Sequence, residues 1–220
     1  MLYVVGTPIG NLNDISYRAI NTLKSVDVIV AENPDHTRKL LSHFEIKNQV
    51  IRFHQQTKPE SRKAIVDRLV AGEDMALVTD AGTPGISDPG GHLVSDAREA
   101  GVEISVIPGP SAVTAILSVC GMPTDTYMFI GFLPKKKGRM TLMDELANLD
   151  VPIVLFESPM RVAKTCKELA DKLGNNRRLV IGRELTKMHE EIVNTTLGEA
   201  AKHYQEHQPK GEFVLVIASH

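Results

Sequence analysis

Residues 75–91 read MALVTDAGTPGISDPGG, a short apolar run followed at once by a loop rich in glycine and proline. The run Met75–Thr79 has the length and composition of a strand that is buried on both faces. The thirteen residues Thr79–Gly91 contain four glycines and two prolines, more than a simple connection needs. In an open α/β sheet, ligands bind beyond the carboxyl ends of the strands, which is where this loop lies. The stretch therefore predicts a parallel sheet with a binding loop at its carboxyl edge.

The same alternation of short apolar runs and amphipathic stretches continues in both directions. Further strands are predicted at residues 2–5, 26–31, 49–53, 103–107, 127–131, 153–156, 179–182 and 213–218. Helical patterns are predicted between them, for example at residues 140–149, 161–173 and 198–207. Strand–helix–strand repetition with short connections indicates α/β architecture, with a mainly parallel sheet in the first half. A break near residues 115–125 predicts two α/β domains, covering residues 1–117 and 118–220.

Composition excludes several classes of protein. The 27 acidic residues slightly outnumber the 25 basic residues, so the net charge is −2 and any contact with nucleic acid must come from a local patch. The two cysteines, Cys120 and Cys166, cannot form a disulfide framework or a four-thiolate zinc site. No apolar run reaches transmembrane length, and the first residues lack the pattern of a secretory signal. We therefore expect a cytoplasmic protein with no metal centre and no contact with membranes.

Two more loops after predicted strands have small or rigid residues. In Gly6–Leu12, Gly6 and Pro8 form part of a rigid turn that lets backbone approach a ligand closely, although the spacing is not that of a dinucleotide fingerprint. In Pro108–Ala112, small residues leave room for a ligand and Ser111 can cap the following helix. Together with Asp80, a potential acceptor for amine or hydroxyl groups, these loops outline a pocket. The alternative is a set of ordinary turns in which the polar residues only cap backbone.

Two charged segments in the second half are further candidates. Lys135, Lys136, Lys137 and Arg139 place four cations in five residues, in a loop that enters a helix. That arrangement suits phosphate contact, but a charge run is also typical of a solvated face. Arg183, Glu184 and Lys187 follow a predicted strand and form either a functional cluster or a surface network of ion pairs.

Taken together, these segments resemble the small-subunit ribosomal RNA methyltransferases of the tetrapyrrole methylase, or class III, superfamily. The resemblance runs from residue 2 to residue 218. It rests on LYVVGTPIGNL at 2–12, the loop at 79–90, GFLP at 131–134, FES at 156–158, GRELTK at 182–187 and KGE at 210–212. It implies a homodimer of two-domain subunits, with S-adenosylmethionine held in the cleft between the two domains. The implied reaction is 2′-O-methylation of a cytidine ribose in the decoding region of 16S rRNA, within the small ribosomal subunit.

The resemblance also assigns roles to particular residues. It implies that the cofactor contacts Ile9, Asp80, Gly82, Thr83, Pro84, Ile86, Ser111, Ala112 and Phe156, in addition to the turn of Gly6 and Pro8. Methyl transfer to a hydroxyl needs alignment and a nearby base or cation. The candidates are Glu32, Arg183, Glu184 and Lys187, with the segment Arg183–Lys187 favoured because it keeps the family pattern unbroken.

One segment departs from the family pattern. The family commonly has Ala-Glu-Asp-Thr-Arg after its second strand, whereas this chain has Glu32 followed by Asn33, Pro34 and Asp35. Arg38 could replace the missing arginine as a phosphate contact, or it could pair with Asp35 about one helical turn away. Two other functions stay open: a methyltransferase of the same fold that acts on a small molecule such as a tetrapyrrole, and an inactive protein that binds cofactor or RNA.

Overall fold

A computed structural model describes residues 1–219, which divide into two compact units, Met1–Ser111 and the described chain from Ala112 onward. The predicted boundary after residue 117 lies inside a helix, Ala112–Val119, six residues beyond this division. No helix in residues 1–219 has both the length and the apolar character that a membrane span requires.

Unit 1 is built around a five-stranded sheet in which every pair is parallel. Its strands are β1 (Leu2–Val5), β2 (Val28–Ala31), β3 (Gln49–Arg52), β4 (Met75–Val78) and β5 (Ile104–Ile107), in the spatial order β3-β2-β4-β1-β5. Its helices are α1 (Tyr17–Ser25), α2 (Pro34–His43), α3 (Pro59–Val70) and α4 (Gly91–Glu99). The predicted parallel α/β sheet is confirmed.

Helices cover both faces of this sheet, and successive residues of each strand point to opposite faces. Ala76 and Val78 pack in the core formed with α1 and α2, whereas Met75 and Leu77 pack in the core formed with α3 and α4. All four residues of β4 are buried, which is why the central strands consist of short, continuous apolar runs.

Unit 2 contains a mixed five-stranded sheet and four helices. Its helices are α5 (Ala112–Val119), α6 (Arg139–Leu146), α7 (Val162–Leu173) and α8 (Leu197–Glu206). Its strands are β6 (Met128–Phe132), β7 (Ile153–Glu157), β8 (Arg178–Arg183), β9 (Glu191–Thr196) and β10 (Phe213–Ile217), in the order β6-β7-β10-β8-β9. Only β6 and β7 pair in parallel, and the other pairs are antiparallel. The edge strand β9 is absent from the sequence-based prediction.

Candidate functional site

The three glycine-rich or proline-rich loops of unit 1 meet at the carboxyl edge of its sheet. Thr7 and Gly82 exchange backbone hydrogen bonds of 2.9 and 3.1 Å, which join the loop after β1 to the loop after β4. The Thr7 hydroxyl adds a bond of 3.1 Å to the carbonyl of Thr79. The loops that the sequence predicted to outline a pocket are therefore tied to one another by backbone contacts.

Two glycines allow the loop after β1 to touch the loop after β5. A Cβ atom on Gly6 would lie 2.7 Å from the backbone nitrogen of Gly109, and a Cβ atom on Gly109 would lie 2.7 Å from the carbonyl oxygen of Gly6. Real Cβ atoms do not approach backbone this closely, so both positions require glycine. Gly82, with a φ of +78°, lies beside Ile9, since its Cβ would be 3.5 Å from Cγ2 of that side chain.

Polar atoms without partners lie at the end of β4. Among the described residues, nothing bonds to the buried Oγ1 of Thr79 or to the buried Oδ1 of Asp80. Leaving such an atom unpaired costs about 1–3 kcal/mol, and native proteins have few of them. The rest of the loop shows a gradient of exposure, from Gly82 and Pro84, which are buried, through the half-buried Thr83 to Ile86, which is 49% exposed. An acceptor and a partly open wall are thus available to a ligand with donor groups.

Glu32 lies beside Asp80, because β2 and β4 are neighbours and both residues follow their strands. Burial raises the pKa of Glu32 above its ordinary value, and the negative charge of Asp80 raises it further. A hydrogen bond from the backbone of Asp80 and the nearby His54 oppose this shift without cancelling it. A carboxylate with a raised pKa is a better proton acceptor than an ordinary one, which suits Glu32 to general-base chemistry.

The segment that departs from the family pattern forms the start of α2. The side chain of Asn33 accepts a hydrogen bond of 3.2 Å from the backbone of Asp35, and Pro34 occupies the first turn, a common way to begin a helix. Arg38 forms a 2.6 Å ion pair with Asp35, and the two side chains are 59% and 79% exposed. The structure therefore gives Arg38 the surface pair that was the alternative to phosphate contact.

In unit 2, the structure separates Arg139 from the three lysines before it. Lys135, Lys136 and Lys137 are exposed, whereas Arg139 is only 5% exposed. Its guanidinium bonds to Glu168 at 2.8 Å, to Thr165 at 2.7 Å and to the carbonyl of Pro134 at 3.1 Å. The prediction that Arg139 contacts substrate is not supported, because its donors are used inside unit 2. Gly138, with a φ of +79°, starts α6 and turns the chain inward at this point.

The Arg183–Lys187 segment forms a closed network of ion pairs. Arg183 bonds to the carbonyl of Lys210 at 2.7 Å and to Glu191 at 2.9 Å. Lys187 lies 2.9 Å from both Glu184 and Glu212. Hydrogen bonding from Lys187 lowers the pKa of Glu184. Burial acts to lower the pKa of Lys187, but its bonds to the two carboxylates outweigh that effect and raise it.

This network also fixes the backbone around it. Glu184 and Thr186 adopt left-handed conformations, with φ values of 49° and 67°. A Cβ atom on Gly211 would lie 2.4 Å from Cγ of Glu184, so the turn at Gly211 closes directly over that side chain. Because Glu184 is a weakened base and Lys187 stays protonated, neither is suited to accept a proton from substrate.

The remaining predicted cofactor contacts lie partly at the surface. Ser111 and Ala112 are half-buried at the start of α5. Phe156, near the end of β7, is half-buried, and its ring centroid lies 5.1 Å from that of Phe129 and 5.6 Å from that of Phe132. In the described residues, no group of three or more His, Cys, Asp or Glu side chains is arranged to hold a metal ion.

Comparisons with known proteins match nearly the whole chain. The family described as Tetrapyrrole (Corrin/Porphyrin) Methylases matches residues 1–201. The chain is 46% identical over 219 residues to ribosomal RNA small subunit methyltransferase I of Synechocystis sp., covering 99% of this chain and 78% of that protein. It is 40% identical over 217 residues to the protein of the same name from Thermotoga maritima, covering 99% of this chain and 97% of that protein.

Solved structures share the fold at low sequence identity. A diphthine synthase matches with a TM-score of 0.75 and 16% identity, covering 100% of this chain and 90% of that chain. A uroporphyrin-III C-methyl transferase from Thermus thermophilus, complexed with S-adenyl homocysteine, matches with a TM-score of 0.69 and 18% identity, covering 98% and 96%. These matches establish the architecture of both units.

Proposed function

This chain belongs to the tetrapyrrole (corrin/porphyrin) methylase family, and from that premise we propose that it methylates RNA of the small ribosomal subunit with S-adenosylmethionine as the donor. The more specific proposal is 2′-O-methylation of a cytidine ribose in 16S rRNA. The names of relatives at 40–46% identity support an RNA substrate. The observation that carries the proposal is the set of interlocked loops in unit 1, which present an unpaired Asp80 carboxylate oxygen next to Glu32.

The residues of the loops fit S-adenosylmethionine. The buried Oδ1 of Asp80 needs a donor, and the cofactor has an ammonium group and ribose hydroxyls. We propose that Gly6, Pro8 and Ile9 form one wall of its site and Asp80, Gly82, Thr83, Pro84 and Ile86 the other, with Ser111 as a further contact. When bound, the cofactor supplies an electrophilic methyl group and leaves as S-adenosylhomocysteine.

Glu32 is the proposed general base. The ribose hydroxyl loses its proton to the Glu32 carboxylate as the new oxygen–carbon bond forms and the carbon–sulfur bond breaks. The raised pKa of Glu32 favours this transfer, whereas Arg183, Glu184 and Lys187 are held in ion pairs. We therefore assign the Arg183–Lys187 segment a structural role within unit 2, in place of the catalytic role that its sequence pattern suggested.

The exposed Lys135, Lys136 and Lys137 are the proposed contacts to RNA phosphate. They give this acidic protein a local cationic patch, and phosphate contacts of this kind orient RNA without reading its sequence. Arg139 is left out of this surface because its guanidinium is buried and engaged. A homodimer and a cytoplasmic location follow from the resemblance; light scattering after size exclusion and cell fractionation test them.

The decisive experiment is transfer of a labelled methyl group from S-adenosylmethionine to undermethylated small ribosomal subunits, with the modified nucleotide mapped. We expect label on one ribose, and loss of both transfer and S-adenosylhomocysteine binding in Asp80→Asn. The exposed Asp171 provides a matched control, since Asp171→Asn makes the same chemical change on α7. Transfer to a tetrapyrrole, or cofactor binding without transfer to either acceptor, would replace the proposal by one of its two rivals.

A further inference from the structure

A second concave site lies in unit 1, beside the loop that follows β4. It is an open pocket of about 260 Å³, smaller than the 300–1,000 Å³ typical of sites for drug-sized ligands. One wall comes from the loop after β3 and the start of α3, and the other from the second half of the loop after β4 and the start of α4. Its polar lining includes His54, Gln55, Arg62, Asp88 and His92. None of these residues is among the proposed contacts of the cofactor.

The polar side chains of the lining include both donors and acceptors. The backbone of Gln56 donates to Nδ1 of His54 at 3.1 Å, which leaves Nε2 as the ring nitrogen that can donate to a ligand. Asp96 holds Nε of Arg62 at 2.7 Å, a contact that orients the guanidinium and does not use its terminal nitrogens. Asp88, on the opposite wall, already has a partner within the protein, and the two oxygens of a carboxylate can accept several hydrogen bonds.

The loop wall is preformed. Gly90 has a φ of +151°, and a Cβ atom there would lie 3.1 Å from the backbone nitrogen of Gly85 and 3.3 Å from Leu77. Any side chain at position 90 would therefore push the wall away from β4. Phe53 is buried at 3% exposure and forms part of the lining.

The strand order fixes what lies next to this pocket. Because β2 lies between β3 and β4, Glu32 is placed between His54 on the pocket side and Asp80 on the cofactor side. His54 lines the pocket and also acts electrostatically on Glu32, so a ribose attached to a base in the pocket would have this carboxylate nearby. Sequence-specific recognition of RNA works in this way, on bases that are splayed out and read by hydrogen bonds to their edges.

We propose that this pocket holds the base of the methylated nucleotide, and that Asp88 and Arg62 select cytosine. This proposal rests on the proposed function. Cytosine offers two acceptors, O2 and N3, and an amino donor at N4. Arg62 and His54 supply matching donors, and an aspartate accepts from the N4 amino group. Uracil has a carbonyl oxygen at that position, so the carboxylate of Asp88 repels it.

The test compares small ribosomal subunits that carry cytidine or uridine at the position mapped above. For each subunit, kcat/KM is measured with wild type, Asp88→Asn and Arg62→Lys, with Asp171→Asn as the control. We expect wild type and the control to prefer cytidine and Asp88→Asn to lose at least tenfold of that preference. Calorimetry with S-adenosylhomocysteine shows whether each variant is folded, and its affinity is expected to stay unchanged. Arg62→Lys carries the test if Asp88→Asn does not fold.

The two proposals fail differently. If wild type methylates the subunits and both pocket variants keep its preference for cytidine, the pocket assignment is overturned and the methyltransferase function stands. If wild type transfers no methyl group to the subunits, the proposed function and the pocket assignment fall together. A general loss of activity with an unchanged cytidine preference also overturns the assignment, because it indicates a structural effect alone.

Discussion

Replacing Arg139 by glutamine is expected to destabilise unit 2 strongly and to leave the salt dependence of RNA binding unchanged. The side chain is 6% exposed, and its three hydrogen bonds tie the start of α6 to α7 and to the loop before it. Glutamine is shorter and neutral, so it cannot restore the pair with Glu168. If Arg139 instead served RNA binding together with the neighbouring lysines, the substitution would be nearly neutral for stability, as surface substitutions usually are.

The magnitude follows from what the substitution leaves behind. Removing one partner of a buried ion pair costs about 3–5 kcal/mol, because the other charge stays buried without compensation. Glu168 is 20% exposed and has Lys164 3.7 Å away, so water and that lysine compensate part of the loss. Thr165 still donates to Glu157 at 2.6 Å, but its hydroxyl oxygen no longer accepts a hydrogen bond from Arg139. We therefore expect about 3 kcal/mol, or a fall in Tm of about 6–12 °C for a chain of this size.

Differential scanning calorimetry of wild type, Arg139→Gln and the exposed control Lys137→Gln measures this effect. The control is expected to melt within about 1–2 °C of wild type, consistent with a change of up to about 0.5 kcal/mol. An Arg139→Gln protein with wild-type stability and weakened RNA binding would refute the reasoning and restore Arg139 to the RNA surface.

Four more variants have expected outcomes. Glu32→Gln should reduce methyl transfer by about 10²-fold or more. The same substitution should raise the free energy of unfolding at pH 7, measured in urea. Because the pKa of Glu32 is raised in the folded state, the wild-type protein loses stability as the pH rises from the unfolded-state pKa of this carboxyl through its folded-state pKa. A wild-type protein that is equally stable at both ends of that pH range would contradict this. Replacing Lys135–Lys137 by glutamine should reduce the slope of log K against log salt by about 2, at about 0.7 per phosphate contact, and an unaltered slope would leave them as solvated surface. Arg38→Lys should change methyl transfer less than twofold, since the pair with Asp35 is exposed, and a tenfold fall would indicate phosphate contact instead. Gly6→Ala should abolish S-adenosylhomocysteine binding in calorimetry, because its Cβ would collide with the loop after β5, and a folded variant with normal affinity would remove that loop from the site.

A strand or helix can be predicted from the sequence when the polarity of its own residues matches their burial. The strand β4 is predictable because its four residues are apolar and buried on both faces. The edge strand β9 is not, because its sequence EIVNTT is mostly polar and four of its six residues are exposed. It is a strand because of its pairing with β8, in which Arg178 lies opposite Thr196, and such long-range pairing leaves little trace in a short window.

The same division applies to the candidate site. Glycine and proline mark the loops at the sheet edge, since those residues act on their own backbone. The surroundings of some charged residues depend instead on partners that are distant in the chain. The sequence places Arg139 among the lysines, but its partner Glu168 lies 29 residues away. Likewise, Lys187 is 25 residues from Glu212, the carboxylate that helps to hold it. The proximity of Glu32 and Asp80 requires the order of the strands, which no local pattern supplies.

The charged side chains of the two units have different neighbours. In unit 2, Arg139, Arg183 and Lys187 are each bonded to carboxylates of the same unit, an arrangement that stabilises the fold and leaves these groups chemically inert. In unit 1, Glu32 and Asp80 lie side by side, and the charge of Asp80 adds to burial in raising the pKa of Glu32. Stability alone would favour replacing one of them. A cationic ligand removes the repulsion, and the sulfonium and ammonium groups of S-adenosylmethionine are cationic. The proposed cofactor site therefore gives a physical reason for two neighbouring carboxylates at this edge of the sheet.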